Sequence, residues 1–285
     1  MSPSVVNKLI SGAGARLRSA GIEAGEAEAE IVLCYILKCE RLDLYLRGEK
    51  LITEKVKARF DEIISARETR SPLQYILGEA YFYGRRFCVN ESVMVPTPET
   101  ELLCENAIRY IKYRELESPA VLDVGCGSGV IAITMKLESP GAQITALDLS
   151  SEALVVAKEN AESLGAGGIE FLQSDVFDAL DSHSSFDLIL SNPPYISDGE
   201  YDGLPPEVKA DPRLALTSGE QGVDIIKRLI AEAPNYLKDK GKLMFEIGYD
   251  QAELIQTLVE DDDHYVSSVL MKDLNDIDRV FILSV

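Results

Sequence analysis

Histidine is nearly missing from this chain: among 285 residues only His183 and His264 occur. Cysteine is sparse as well, and its five copies (Cys34, Cys39, Cys88, Cys104, Cys126) are scattered without the close pairs of a zinc site. The two shortages together exclude a structural metal from the expectations, and an odd set of unpaired thiols points to a reducing, cytoplasmic setting. No apolar run approaches the roughly 20 residues of a membrane span. The amino-terminal stretch also lacks the charged head, apolar core and small-residue cleavage site of a secretory leader. No membrane association is expected. Basic residues are outnumbered, 28 Lys and Arg facing 48 Asp and Glu for a net charge of −20. Duplex DNA and other polyanions are held mainly by basic groups on their phosphates, so no direct nucleic-acid binding is expected. A protein or a small molecule is the expected ligand.

What is present is ordinary for a soluble globular chain, 46% hydrophobic and 27% charged, and the length suits one large domain or two smaller ones. Residues 4–70 predict helices, from apolar positions at helical spacing in Val5, Leu9, Ile10, Leu17 and in Ile31, Leu33, Cys34, Leu37. The acidic run from Glu26 to Glu30 predicts a solvated helix start. Such a bundle carries no catalytic pattern; its expected use is partner recognition, with a domain over residues 1–75. Between Glu79 and Pro96 the pattern turns β-favouring around Gly84, which predicts a hairpin linking two domains over residues 76–97.

From about residue 98 to 285 strands and helices alternate. Strands are expected at Ala120–Val124, Gln143–Leu147, Ile169–Leu172, Asp187–Leu190 and Lys242–Ile247. Helices are expected at Ile131–Leu137, Glu152–Leu164, Val223–Leu237 and Gln251–Val259. Alternation of this kind predicts an α/β, doubly wound, mostly parallel sheet. Val266–Met271 and Arg279–Val285 follow each other without a helix and predict an antiparallel hairpin at its end.

Two stretches carry chemistry. Asp123-Val-Gly-Cys-Gly-Ser-Gly129 follows a strand and opens a helix, where Gly125, Cys126, Gly127, Ser128 and Gly129 can bring backbone close to a ligand. Asp148, ending the next strand, suits a carboxylate on the two hydroxyls of a ribose. A dinucleotide fingerprint needs a glycine where Val130 stands. With Asp123 just ahead of the loop, a cationic amino-acid end is the better match, which favours S-adenosyl-L-methionine. Asp175, beyond the third strand, reads equally as a contact to the adenine edge or as a capping acid. The second stretch, Phe186-Asp-Leu-Ile-Leu-Ser-Asn-Pro-Pro-Tyr195, is a buried strand stopped by two prolines at its carboxyl end. Asn192 offers an amide, Pro193 a bare carbonyl and Tyr195 a flat ring, a set that suits a planar NH2 group. Alone, the motif reads equally as a strand-end turn.

The glycine loop, Asp148 and Asn-Pro-Pro-Tyr resemble the class I S-adenosylmethionine-dependent methyltransferases that modify planar nitrogen. More narrowly, the chain from about Pro72 onward resembles the glutamine methyltransferases of peptide-chain release factors. The match includes Pro72-Leu-Gln-Tyr-Ile-Leu-Gly78, Val95-Pro-Thr-Pro-Glu-Thr-Glu-Leu-Leu103, Asn192-Pro-Pro-Tyr-Ile196, Asp211-Pro-Arg-Leu-Ala-Leu216 and Glu246-Ile-Gly248. The resemblance implies a seven-stranded Rossmann-like fold and methyl transfer to the glutamine of a Gly-Gly-Gln loop in a release factor. It implies cofactor contacts from Gly125–Gly129, Asp148, Asp175, Val176 and Asn192, with Asn192, Pro193, Pro194 and Tyr195 around the glutamine. Thr97 stands where the family usually has Arg, and Val176 where it often has Trp. Adenine is then expected to pack on aliphatic surface, helped by Phe177. The rival readings are a glutamine methyltransferase for a ribosomal protein, an adenine methyltransferase for nucleic acid, and a silent cofactor-binding scaffold.

Overall fold

In the computed structural model of the chain, residues 5–47 and 51–285 are described. Residues 1–4 and 48–50, which the expected helical domain includes, lie outside the described residues. The chain divides into two compact units, and the first is discontinuous: the described residues up to Gly78 are joined by Pro205–Ala210. The second takes Glu79–Leu204 and Asp211–Val285.

The first unit contains α1 (Val5–Ser19), α2 (Gly25–Leu37), α3 (Arg41–Arg47), α4 (Glu54–Glu68) and the short α5 (Leu73–Leu77). Val6, Ile10, Ala13 and Leu17 fall on one face of α1 and join Val32, Leu33, Phe60, Ile63 and Ile64 in a single core. Thr53 starts α4 by accepting the Val56 N–H at 3.3 Å. The acidic run opens α2 as expected and Glu26 is exposed, but Glu28 and Glu30 are not part of a solvated face. Glu28 takes the Arg67 guanidinium at 2.7 Å, and Glu30, itself buried, accepts Arg41 and the Tyr45 hydroxyl. Periodicity could not show this, because the partners come from α3 and α4. Arg67 is almost fully buried and also reaches Glu207 at 2.8 Å, while Arg70 binds the same carboxylate with a second fork at 2.6 Å. These two cations hold Glu207 down at about 2.

The second unit opens on a hairpin, β1 (Glu79–Phe82) and β2 (Arg85–Cys88), turned at Tyr83-Gly84. It is shorter than the expected span, and residues 89–96 run on outside any strand towards α6 (Glu101–Tyr113). Next come β3 (Ala120–Val124), α7 (Val130–Glu138), β4 (Gln143–Asp148), α8 (Ser151–Ser163), β5 (Ile169–Gln173) and β6 (Phe186–Ser191). Two one-turn helices, α9 (Pro206–Lys209) and α10 (Arg213–Leu216), precede α11 (Asp224–Glu232), β7 (Leu237–Glu246), α12 (Ala252–Glu260), β8 (Ser267–Lys272) and β9 (Asp278–Ser284). The seven-stranded sheet has the order β5-β4-β3-β6-β7-β9-β8, parallel but for β9, which runs antiparallel to both its neighbours.

This is the doubly wound Rossmann-like architecture, with one apolar layer against α6, α7 and α8 and another against α11 and α12. Leu122 and Ile189 enter one layer while Val121, Leu188 and Leu190 enter the other, so the central strands are buried on both faces. The helix expected at Val223–Leu237 is too long. Pro234 removes a donor, the chain tightens into a 3-10 turn at Ala233–Tyr236, and Leu237 already pairs with Phe186 as the start of β7. The winding direction reverses between β3 and β6, whose ends lie side by side with Val124 opposite Ser191. At such a reversal an open α/β sheet leaves its crevice.

Candidate active site

The crevice is a cavity of about 550 Å³. One wall is the turn after β3, where Gly125 and Cys126 both donate to the Leu147 carbonyl, at 2.8 and 2.9 Å. Gly127 has φ +53°, and a Cβ there would point into open space, so backbone rather than side chain faces the cavity. Gly129, at φ +82°, is needed for a different reason: a Cβ would come within 3.0 Å of Ile133 and 3.1 Å of Ala157. It packs α7 against α8 and does not line the cavity, unlike Gly125, Cys126, Gly127 and Ser128.

Asp148 ends β4 with its carboxylate turned back onto the loop. Oδ2 accepts Gly127 N–H at 2.7 Å and Oδ1 accepts Ser150 N–H at 2.9 Å. With a further backbone hydrogen bond from Leu149, the carboxylate still keeps acceptor capacity for a ligand hydroxyl. Burial raises its pKa despite these donors. Asp123 is not where the sequence suggested. It is fully buried beneath the loop, with Oδ2 on the first turn of α7 (Ala132 N–H, 2.9 Å) and Oδ1 unpartnered, and burial pushes it up to about 7.

Asp175 and Val176 also line the cavity. Val176 is held at φ +51°, a strained conformation for a β-branched residue, by Ser174, whose hydroxyl donates to its carbonyl at 3.0 Å. The Asp175 carboxylate is taken by Arg228 of α11 at 2.6 Å. Phe177, expected beside adenine, instead stacks on Tyr236 inside the core, with ring centroids 5.1 Å apart.

Asn192, Pro193 and Pro194 reach the cavity from the end of β6. Ser191 pins that end by donating to the Val124 carbonyl at 2.7 Å. Asn192 Nδ2 donates to Thr100 Oγ1 at 2.9 Å, and that hydroxyl donates to Glu246 Oε2 at 2.7 Å. Tyr195 turns away from the cavity into the apolar layer and hydrogen-bonds Glu246 as well. Burial pushes Tyr195 well above the usual phenol range and Glu246 up to about 7. Gln251 clamps the loop from behind, giving Nε2 to the Tyr195 carbonyl at 2.8 Å and taking Gly248 N–H at 2.9 Å. Thr100, Glu246 and Gln251 had no assigned role in the sequence reading. The first two lie in segments that carried the resemblance; Gln251 has no signal at all.

The cavity wall is also formed by residues 91–94, Pro96, Pro212, Leu214 and Ala215, and its charged groups all have one sign. Glu91, Asp148, Glu152, Asp175 and Asp224 line it, with no Lys, Arg or His among the described residues. A pyrophosphate would meet repulsion there. A ligand carrying a sulfonium, an ammonium and a ribose fits this donor set, so S-adenosylmethionine passes the test of charge and hydroxyl acceptors.

Comparison with known proteins gives a consistent picture. Residues 117–280 match the model of a methyltransferase domain, and residues 8–78 that of a PrmC N-terminal domain. A release factor glutamine methyltransferase from Rhodopirellula baltica is 39% identical over 98% of this chain and 96% of its own length. One from Koribacter versatilis is 40% identical over 93% of each. Among solved structures, a Thermus thermophilus 16S rRNA methyltransferase in complex with AdoMet and guanosine shares the fold, with a TM-score of 0.52, 18% identity and coverage of 72% of this chain and 49% of that one.

Proposed function

Because this chain belongs to the release factor glutamine methyltransferases, we propose that it methylates the side-chain amide nitrogen of the Gly-Gly-Gln glutamine in a peptide-chain release factor, and so modulates translation termination. S-adenosylmethionine is the methyl donor, and it supplies an electrophilic methyl group on a sulfonium. Residues 125–128 and Asp148 hold it, with Val176 and Asp175 at its adenine end and Gly129 shaping the turn from behind. An amide nitrogen is a poor nucleophile, since its lone pair is delocalised into the carbonyl. Asn192 Oδ1 and the Pro193 carbonyl accept its two protons, which raises electron density on nitrogen and fixes which face it presents. Water exclusion comes from Pro193, Pro194 and the apolar residues Met94, Pro96 and Leu214 around them. The cavity wall holds no strong base, and none is needed, because the protonated methylamide is acidic enough to lose its proton after transfer.

The observation that carries this reading is the placement of Asn192 and Pro193 on the wall of a cavity with only acidic charged groups, in a chain of this family. The helical domain of residues 1–75 is then the substrate-recognition element. Exposed Leu42 and Leu46 on α3 support this use. A protein substrate also suits the acidic lining and the −20 charge better than a nucleic acid does. The test is transfer of a radiolabelled methyl group to a purified release factor, with its Gly-Gly-Gln glutamine replaced as control. Label should enter the intact factor and be absent from the control. Labelling that survives the replacement, or that goes instead to a ribosomal protein or to nucleic acid, overturns the reading.

A further inference from the structure

Asn192 has one end that accepts and one that donates, and methyl transfer needs the accepting end towards the substrate. We propose that Glu246 is the positioning residue that sets this orientation, acting through the hydroxyl of Thr100. The inference rests on the glutamine methyltransferase reading above. Its geometric basis is the proton count of a single hydroxyl. Thr100 owns one proton, and at 2.7 Å it gives it to Glu246 Oε2. Towards Asn192, 2.9 Å away, Thr100 is left with lone pairs only. It must therefore receive Nδ2, and Oδ1 is left without a hydrogen bond from any described protein group.

Glu246 is the end of β7, almost fully buried. The four groups facing it come from three segments of the chain. Thr100 and Glu99 belong to the 3-10 turn before α6, Tyr195 follows β6, and Arg279 lies on β9. Thr100 and Tyr195 give it hydrogen bonds, and Glu99 opposes its charge. Arg279 is divided, since its guanidinium also pairs with Asp273 at 3.2 Å. The carboxylate thus has no counter-ion of its own, and burial brings its ionisation up to about 7. Once protonated, Glu246 becomes a donor to Thr100. Thr100 can then turn its own proton on Asn192, which must present Oδ1 to receive it. The NH2 group would swing towards the substrate amide, donor against donor. The same carboxylate joins both polar side chains of Asn-Pro-Pro-Tyr, and it gives Tyr195 a part to play without entering the cavity.

The test uses the full chain in two measurements. In the free protein, NMR of the Asn192 side-chain NH2 protons should titrate with a midpoint near 7 in the natural protein. They should not titrate in Glu246→Gln or in Thr100→Val. In single-turnover transfer to a release factor, the natural protein should lose activity below the same midpoint. Glu246→Gln should lose that acid limb and turn over roughly tenfold more slowly, the worth of a hydrogen bond to a charged group. Thr100→Ser, which keeps the hydroxyl, should retain both the limb and the rate. KM for each substrate and the melting temperature of Thr100→Ser should stay close to those of the natural protein. An Asn192 resonance that ignores pH in the natural protein overturns the proposal even if no variant folds. So does an acid limb that persists unchanged in Glu246→Gln. Failure of the natural protein to label a release factor at any pH would instead remove the glutamine reading, leaving the NMR titration to be judged by itself.

Discussion

At Asn192, loss of the carboxamide and gain of a charge are separable experiments. Asn192→Ala removes the acceptor without touching Asp148 or the glycine loop, so cofactor affinity should change only a few-fold. Turnover should fall by about 10²–10³, as when one preorganised polar contact is removed from a dry site. Asn192→Asp keeps an acceptor but cannot donate to Thr100, whose proton is already committed to Glu246. It should be slow as well, with cofactor binding unchanged or tighter because a carboxylate then lies near the sulfonium. Calorimetry with S-adenosylmethionine and single-turnover transfer read the two effects apart. Asp148→Ala should do the opposite, weakening cofactor binding by ~1.5–3 kcal/mol. The residues legible in the sequence are the ones whose meaning is local. The glycine loop is one turn, and Asn-Pro-Pro-Tyr is one strand end. Thr100 acts through partners 92 and 146 positions away, and Gln251 through one 56 positions away. No window of sequence contains those pairs.

Helix α8 shows how an element can join parts that look independent. Asn160, fully buried on it, accepts Cys88 N–H at 2.7 Å and donates to the Cys88 and Ser128 carbonyls at 3.0 and 2.9 Å. It therefore ties the hairpin strand β2 to the cofactor loop. Asn160→Ala leaves these groups without partners, and the expected cost is ~2–4 kcal/mol, since each buried unsatisfied group costs about 1–3 kcal/mol. Denaturant melts measure it. Cofactor affinity should fall in step, because the Ser128 turn loses its brace. Element types were legible wherever a period ran long enough, as in α1, α8 and the alternation after residue 120. The misses have local causes. The α11 helix ends early because Pro234 interrupts it, and α9 and α10 are single turns too short to show a period. Glu28 and Glu30 of α2 looked solvated because Arg67 and Arg41 lie far off in sequence.

For the whole molecule, buried carboxylates set activity and stability against each other. Glu246 and Asp123 are both raised to about 7, from ordinary values of 4.5 and 3.8. Their folded-state values lie above the unfolded ones, so the folded chain binds more protons between those limits. The stability these groups contribute is then fully present below the ordinary carboxylate range and is lost as pH rises through their folded-state values near 7. Glu207, held at about 2, works the other way: its contribution is present above 4.5 and fades as pH falls towards 2. Melting temperature should therefore peak in mildly acidic solution, while turnover rises through neutrality. Asp123→Asn and Glu246→Gln should each flatten the alkaline side of the stability curve. Equal melting temperatures on both sides of pH 7 in the natural protein would contradict this. The discontinuity of the helical unit has a bearing on heredity. Its arginines, Arg67 and Arg70, and the Glu207 they hold are encoded more than 130 positions apart, with Glu79–Leu204 of the other unit between them. A recombination event anywhere in that interval would pair one parent's arginines with another's segment 205–210. A chain begun at Glu79 would inherit the acid without either cation. In a shuffled library of relatives these three positions should behave as linked loci, surviving together from one parent and seldom mixed.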